Sequence, residues 1–302
     1  MSAPSDLPRL FDRQLLAHRL DRAASGFAQA QFLKERAVED ALHTLNVINR
    51  HFDIALDIGA RDGGFGRALA ASPAAAKVGL LIEADLSQRF SAQQSGGARL
   101  VMDEEQLPFG DNSLNLVVSS LALHTANDVP GVLVQIGRAL KPDGLLIASM
   151  FGGETLKELR GCLMEAELEI RGGYGPRIAP FPEAPDLIDL LKRTGFAMPV
   201  VDSDRVEVSY EHPLRLMADL RAMGESNVLI DRPRKGLSRA ILARASALYF
   251  ERFADGEGRI PATFEIITLS GWKAHESQQK PLRPGSAKMS LAEALGVKEG
   301  KL

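Results

Sequence analysis

One stretch constrains the fold more than any other. Ile54-Ala55-Leu56-Asp57-Ile58 is a short apolar run, Gly59 to Gly64 breaks it, and Arg67-Ala68-Leu69-Ala70-Ala71 resumes with helical character. Strand, tight turn and helix in that order open a doubly wound α/β sheet. Glycines suit a turn that must be sharp and must let a ligand approach bare backbone. No G-x-G-x-x-G can be written across the stretch, so it is not a dinucleotide fingerprint. Asp57 at the strand end would repel a pyrophosphate but suits a ligand carrying an ammonium group. That chemistry points to S-adenosylmethionine (SAM), whose amino-acid end is zwitterionic, rather than to NAD. Read alone, the loop is also compatible with an ordinary Gly-rich strand–helix turn.

The rest of the first half repeats the alternation. Strand 54–58 is followed by helix 64–71, and strand 78–83 by helix 86–93. Strand 98–102 leads into a loop with Leu107-Pro108-Phe109, and strand 114–120 precedes helix 129–140. Lys141-Pro142-Asp143-Gly144 reads as a turn before strand 145–150. Continuous apolar strands separated by helices predict a parallel sheet covered on both faces. Ligands of such sheets bind outside the carboxyl ends of the strands.

Three carboxylates fall at those ends: Asp57, Asp85 and Asp103. Neighbouring strands lie about 4.8 Å apart, so three strand ends span roughly 10 Å, the size of a nucleoside. The ammonium, ribose diol and adenine amine of SAM all donate hydrogen bonds, which carboxylates accept. Each aspartate could instead start a helix, but three in succession favour the cofactor. The expected cofactor set is Asp57, Gly59, Ala60, Gly63, Asp85, Leu86, Asp103, Glu104 and Ser120.

Composition narrows the class. A 302-residue chain with 45% hydrophobic and 25% charged residues is globular. A net charge of -3 and a pI near 6.1 leave no footprint for a nucleic-acid binder. Cys162 is the single cysteine, so no internal disulfide forms and a reducing compartment is expected. No apolar run approaches the roughly 18 residues of a membrane span. Residues 1–13 lack the apolar core of a signal peptide. The expected location is the bacterial cytoplasm, with peripheral attachment to the inner face of the membrane through a partner. His18, His43, His51, His124, His212 and His275 are dispersed, and no Cys/His cluster has zinc spacing, so no metal is assigned.

Two sets of motifs carry a resemblance. Asp57-x-Gly59-x-x-x-Gly63, Ala84-Asp85, Asp103-Glu104-Glu105-x-Leu107-Pro108-Phe109 and Leu140-Lys141-Pro142-x-Gly144 resemble the successive motifs of class I SAM-dependent methyltransferases. The resemblance implies a Rossmann-like, doubly wound seven-stranded sheet, here with an N-terminal helical arm and a helical insertion before the last strand. Many members have a second glycine where this chain has Arg61, so Arg61 either alters the cofactor pose or points into solvent. A second set resembles something narrower: Ser119-Ser120-Leu121-Ala122-Leu123-His124, Met150-Phe151-Gly152-Gly153-Glu154-Thr155-Leu156, Met223-Gly224-Glu225-Ser226-Asn227 and Gly271-Trp272-Lys273-x-His275-Glu276-Ser277-Gln278. These are similar to the fifth assembly factor of mitochondrial respiratory complex I and its alphaproteobacterial relatives, over residues 11–287. That resemblance implies a SAM-binding arginine hydroxylase acting on a complex I subunit. Relatives often carry Trp after the histidine, where this chain has Thr125. Two alternatives stay open: a methyltransferase acting on a small-molecule or acyl-carrier carboxylate, and a non-catalytic assembly chaperone with structural SAM. No Asn-Pro-Pro-Tyr follows the fourth strand, which argues against methylation of nucleobase amines or side-chain amides.

The organisation read from the chain is an arm at 1–50, a SAM-binding domain at 51–274 with a helical insertion at 212–253, and a tail at 275–302. In the arm, one helix is expected at 31–50. Beyond it follow helix 154–171, a connection at 172–176, helix 185–194, strand 197–210 and an antiparallel last strand at 264–269. His124 follows the fourth strand and is the candidate acid/base, the alternative being a loop histidine bonded to backbone. Glu225 is the candidate carboxylate for a substrate guanidinium, with Ser226, Asn227 and Trp272 as substrate residues. In that reading the insertion folds over the carboxyl ends and Trp272 packs beneath it or stacks on the partner's arginine. Arg232, Arg234, Lys235, Arg239 and Arg244 form either a solvated helix face or a docking patch.

Overall fold

The computed structural model describes residues 9–94, 96–276 and 278. Of the tail expected at 275–302, residues 279–302 lie outside them, as do residues 1–8. Seven strands form one sheet: β1 Phe52–Ile58, β2 Val78–Asp85, β3 Ala98–Val101, β4 Leu114–Ser120, β5 Leu140–Phe151, β6 Phe196–Tyr210 and β7 Ile260–Lys273. Their order is β3-β2-β1-β4-β5-β7-β6. The first five run parallel, and β7 is antiparallel to both β5 and β6. This is the doubly wound, seven-stranded class I methyltransferase architecture that the motifs imply.

Helices cover both faces. On one, α2 (Phe32–Val47) and α3 (Gly64–Ala70) set Val38, Leu45, Phe65 and Leu69 against Leu116, Val118 and Ile147. On the other, α5 (Val129–Ala139) and α7 (Ala184–Arg193) set Leu133, Ile136, Leu187 and Leu191 against Leu56, Val117 and Leu146. Residues alternating along each central strand therefore face opposite cores, which explains why those strands read as unbroken apolar runs.

Several boundaries move for local reasons. Lys141 to Gly144 are not a separate turn: β5 begins at Leu140, and Asp143 takes φ +65° beside a register shift against β4. The helix expected from residue 154 begins at Lys157 (α6, Lys157–Arg171), because Leu156 sits in the left-handed region at φ +56°. The last strand runs well past its apolar core, since β6 pairs with it from Tyr210↔Ile260 to Phe196↔Lys273. The arm holds two helices, α1 (Arg13–Ala23) and the α2 already named.

The insertion also divides. Helix α9 (Arg239–Phe253) packs Ile241, Ala245, Leu248 and Tyr249 into a core with Leu159 and Leu163 of the α6 helix and Phe264 of β7. Helix α8 (Pro213–Met223) and the loop after it lie over the carboxyl ends of the first five strands. There the arm meets them: Asp12 donates its N–H to the Val228 carbonyl and Ile230 to that of Leu10. Asn127 Oδ1 accepts the Leu10 and Phe11 amides at 2.8 and 2.7 Å, fixing the arm to the loop after β4. Among the described residues no helix is long and apolar enough to cross a membrane.

Candidate cofactor cradle and acceptor cavity

The strand ends bring the expected cofactor residues together. Asp57 is fully buried, and neither carboxylate oxygen has a hydrogen-bond partner. Burial pushes its pKa up to about 7, with Lys34 opposing the rise and Glu83 and Asp85 adding to it. A buried carboxylate without a partner is costly unless a ligand supplies one, and an ammonium group fits that need. The turn beyond is tightly held: Gly59 and Ala60 both donate to the Ala84 carbonyl, at 2.8 and 3.0 Å. Gly59 has φ +70°, and a Cβ there would come within 2.3 Å of the Ala122 Cβ.

Asp85, at the end of β2, is already engaged. Its Oδ2 accepts both the main-chain N–H and Nη1 of Arg61, each at 2.9 Å, while Oδ1 accepts the Ser87 amide at 2.8 Å. Arg61 therefore does not point into solvent. It is buried at φ +52°, with its guanidinium 5.7 Å from the Phe90 ring centroid. Asp103 and Glu104 each accept Arg13 from α1 at 2.7 Å. Leu86 packs partly buried beneath the arm, beside Phe27 and Phe90.

Lys34 on α2 completes the set. Its ammonium is buried and donates to the carbonyls of Gly59 and Ser120 at 2.5 and 2.7 Å. Burial pulls its pKa down to about 8, against the attraction of Asp57. Lys34 and Arg13 were missed from the sequence. A signal for Lys34 existed: it shares the apolar stripe of α2 with Ala37, Val38 and Ala41, where a charge has no solvated place. The space left among Phe27, Leu33, Lys34, Arg61, Met223 and Glu225 is only about 20 Å³.

A larger cavity of about 610 Å³ opens beside the cradle. Phe151, Leu156, Leu159, Phe181 and Phe264 give it apolar walls, and Arg177, Arg221, Arg234 and Lys235 stand among its lining residues. His124, in the turn that follows β4, is buried with its ring centroid 4.9 Å from Phe151 and 5.9 Å from Phe181. Its Nε2 lies 3.1 Å from Glu225 Oε2. Burial would raise the pKa of Glu225, but His124, Arg61 and Lys34 together hold it below the usual carboxylate value. An ionised Glu225 can only accept, so Nε2 of His124 carries the proton in this bond. Nδ1 of His124 is buried without a partner.

The remaining candidates separate. Ser226 and Asn227 both line the cavity. Asn227 spends its polar atoms locally, donating to the Pro176 carbonyl at 2.8 Å and accepting the Leu229 amide at 3.0 Å. Trp272 is not at the site. It lies within β7 opposite Leu145, and because β7 is antiparallel its last residues reach the amino end of β5. There it packs on the α2–α3 core, with Arg50 5.6 Å from its ring centroid. The basic stretch splits as well, with Arg232, Arg234 and Lys235 at the cavity and Arg244 on α9 paired with Glu169 at 2.6 Å. Burial pushes the Cys162 thiol up to about 11, so it is no nucleophile. Among the described residues no group of three or more His, Cys, Asp or Glu is placed to hold a metal ion.

The methyltransferase domain family model matches residues 56–148, from β1 into β5. The mitochondrial arginine-hydroxylase NDUFAF5 of Danio rerio is 40% identical over 97% of this chain and 91% of its own length. A malonyl-[acyl-carrier protein] O-methyltransferase of Halorhodospira halophila is 30% identical over 93% of this chain and 94% of its own. A methyltransferase candidate from Bacillus halodurans C-125, solved at atomic detail, has a TM-score of 0.55 at 15% identity. It covers 78% of this chain and 98% of that one, and shows the shared fold alone. The long match to the hydroxylase takes in both the cradle and the cavity, and this chain belongs to the NDUFAF5 arginine-hydroxylase family, built on the class I methyltransferase fold.

Proposed function

We propose that this protein binds SAM and hydroxylates an arginine side chain of a protein substrate, a respiratory complex I subunit, during assembly. The observation that carries the reading is the His124–Glu225 pair, set against the aromatic wall of the cavity beside the cradle. Glu225 is kept ionised where a guanidinium can reach it, and Arg prefers carboxylate acceptors. The apolar part of the wall, Phe151, Phe181 and Leu156, suits the aliphatic stem of an arginine. Nδ1 of His124 is a free buried ring nitrogen that can hold or pass a proton. Asp57, the Gly59 turn, Asp85 and Asp103 would hold SAM, which supplies an activated methyl group on a sulfonium when bound. Hydroxylation replaces C–H by C–OH, a two-electron oxidation, so its oxygen must come from an external oxidant such as dioxygen with a reductant.

A second reading has its own observation. The cluster of Arg177, Arg221, Arg234 and Lys235 suits an acidic carrier protein, and the similarity to a malonyl-[acyl-carrier protein] O-methyltransferase gives a carboxylate as acceptor. Intact masses after co-expression separate the cases. One added oxygen on the subunit supports hydroxylation, one added methyl group on a co-expressed malonyl-loaded carrier protein supports methyl transfer, and unchanged masses of both leave assembly chaperoning with SAM as a structural ligand. The protein's place in the bacterial cytoplasm, at the inner face of the membrane, is part of the same proposal.

A further inference from the structure

We infer that Lys34 and Arg61 determine which ligand the cradle accepts: Lys34 fills it with an ammonium that only a ligand bringing its own can replace, and Arg61 covers the acceptor that a ribose diol must take over. The inference rests on reading the cradle as a SAM site. Lys34 offers a primary ammonium to two inward carbonyls, Gly59 and Ser120, next to the unpartnered Asp57. The amino-acid end of SAM carries the same group, and two ammonium ions cannot share one pair of acceptors. Arg61 Nη1 meanwhile covers Asp85 Oδ2, the acceptor that a ribose diol would need. The gap beside Lys34 and Arg61 holds only about 20 Å³, far below the roughly 300–1,000 Å³ of ordinary small-molecule sites, so a ligand reaching the acceptors they cover must move them.

The consequence is selectivity. A ligand that expels Lys34 without replacing it leaves two buried carbonyls without a donor and Asp57 without the attraction of a neighbouring cation. Each such loss weakens affinity by roughly tenfold or more. A ligand with an ammonium restores those bonds. S-Adenosylhomocysteine and 5′-methylthioadenosine test this, since both are neutral at sulfur and only the first has an amino-acid end.

Calorimetry on the full chain, with SAM and both probes, should be run on the wild type, Lys34→Met and Arg61→Gly. The wild type should bind S-adenosylhomocysteine at least about tenfold more tightly than 5′-methylthioadenosine. Lys34→Met should tighten both probes together, by about tenfold, because neither must then expel a buried ammonium. Arg61→Gly should act in the same direction. Its backbone sits at φ +52°, which glycine adopts freely, so it remains a sound test if Lys34→Met melts early. If Lys34→Met weakens S-adenosylhomocysteine and leaves methylthioadenosine unchanged, Lys34 contacts the ligand and the inference fails. If both affinities stay unchanged while the wild type binds SAM, Lys34 is merely structural and the inference again fails. If neither the wild type nor a variant binds SAM, the cofactor reading itself has failed.

Discussion

His124 and Glu225 are 101 residues apart in sequence and 3.1 Å apart in space. Two unrelated turns bring them together. The chain leaves β4 through Leu121 at φ +50°, which precedes His124, and it leaves α8 through Gly224 at φ +87°. The Glu225 amide then closes onto the Leu220 carbonyl at 2.8 Å, so Glu225 is held by its own backbone as well as by its side chain. Glu225→Gln keeps the shape and the hydrogen-bond acceptor but removes the charge. It should cut modification of the partner by about 100-fold, as loss of one aimed electrostatic contact does elsewhere, while the unliganded protein melts within a few degrees of wild type. The rate of mass gain on the co-expressed partner measures the effect. A Gln variant that modifies at the normal rate would place the acceptor elsewhere.

Asp57 should impose a pH signature on stability. Its folded pKa is raised from 3.8 to about 7, first by burial. The contribution of the neutral carboxyl to stability is therefore full below 3.8 and is lost as the pH rises through about 7. Relative to the wild type, Asp57→Asn should gain on the order of 2–4 kcal/mol across that window. Urea unfolding at pH 4, 5.5 and 7.5 tests it. A constant difference at the three values would show that Asp57 is not strained by burial.

Much of this arrangement was legible in the sequence, for identifiable reasons. Continuous apolar runs betray strands buried on both faces, so the parallel half of the sheet and the order of Asp57, Asp85 and Asp103 could be read directly. What escaped depends on where side chains point after the chain folds back. Arg61 follows Gly59 at a position that tolerates exposure, and only the left-handed turn at φ +52° directs it onto Asp85. Arg13 reaches Asp103 across 90 positions of sequence, which no local pattern encodes. Trp272 was misplaced because an antiparallel last strand carries its end away from the ligand side.

That misplacement yields a control. Trp272→Phe should leave partner modification at the wild-type rate and cost about 1–2 kcal/mol in stability, from lost packing on the α2–α3 core and the lost Arg50 contact. Activity assay and thermal melting together suffice. A large fall in rate at unchanged stability would reopen a substrate role for Trp272.

Glu167 is a buried charge that holds a lining residue of the cavity, Arg177. It projects from α6 with its side chain fully covered, and its Oε1 accepts Arg177 Nη2 at 2.5 Å, Arg177 Nε at 3.2 Å and Arg171 Nη1 at 3.2 Å. Its other oxygen accepts the Gly175 amide at 3.2 Å. Burial would push its pKa up, but Arg177, the Gly175 amide and Arg171 outweigh it and hold the carboxyl below the usual value. Because the folded pKa is depressed, the stabilisation is present above the unfolded value of 4.5 and is lost as pH falls through the folded one. Arg177 and Ile178 line the cavity, so this carboxylate, together with Asn227 on the Pro176 carbonyl, holds the connection after α6 in place. Glu167→Ala leaves a largely buried guanidinium without its partner and should cost about 3 kcal/mol at pH 7. It should also raise the KM for the protein substrate more than it lowers kcat, since the mouth loosens while His124 and Glu225 stay in place. Glu167→Gln retains a hydrogen-bond acceptor and should lose less. Urea unfolding at pH 7, paired with initial rates over a range of partner concentrations, decides the matter. If Glu167→Ala unfolds like the wild type with an unchanged KM, the connection is held by its other contacts and Glu167 does not shape the mouth.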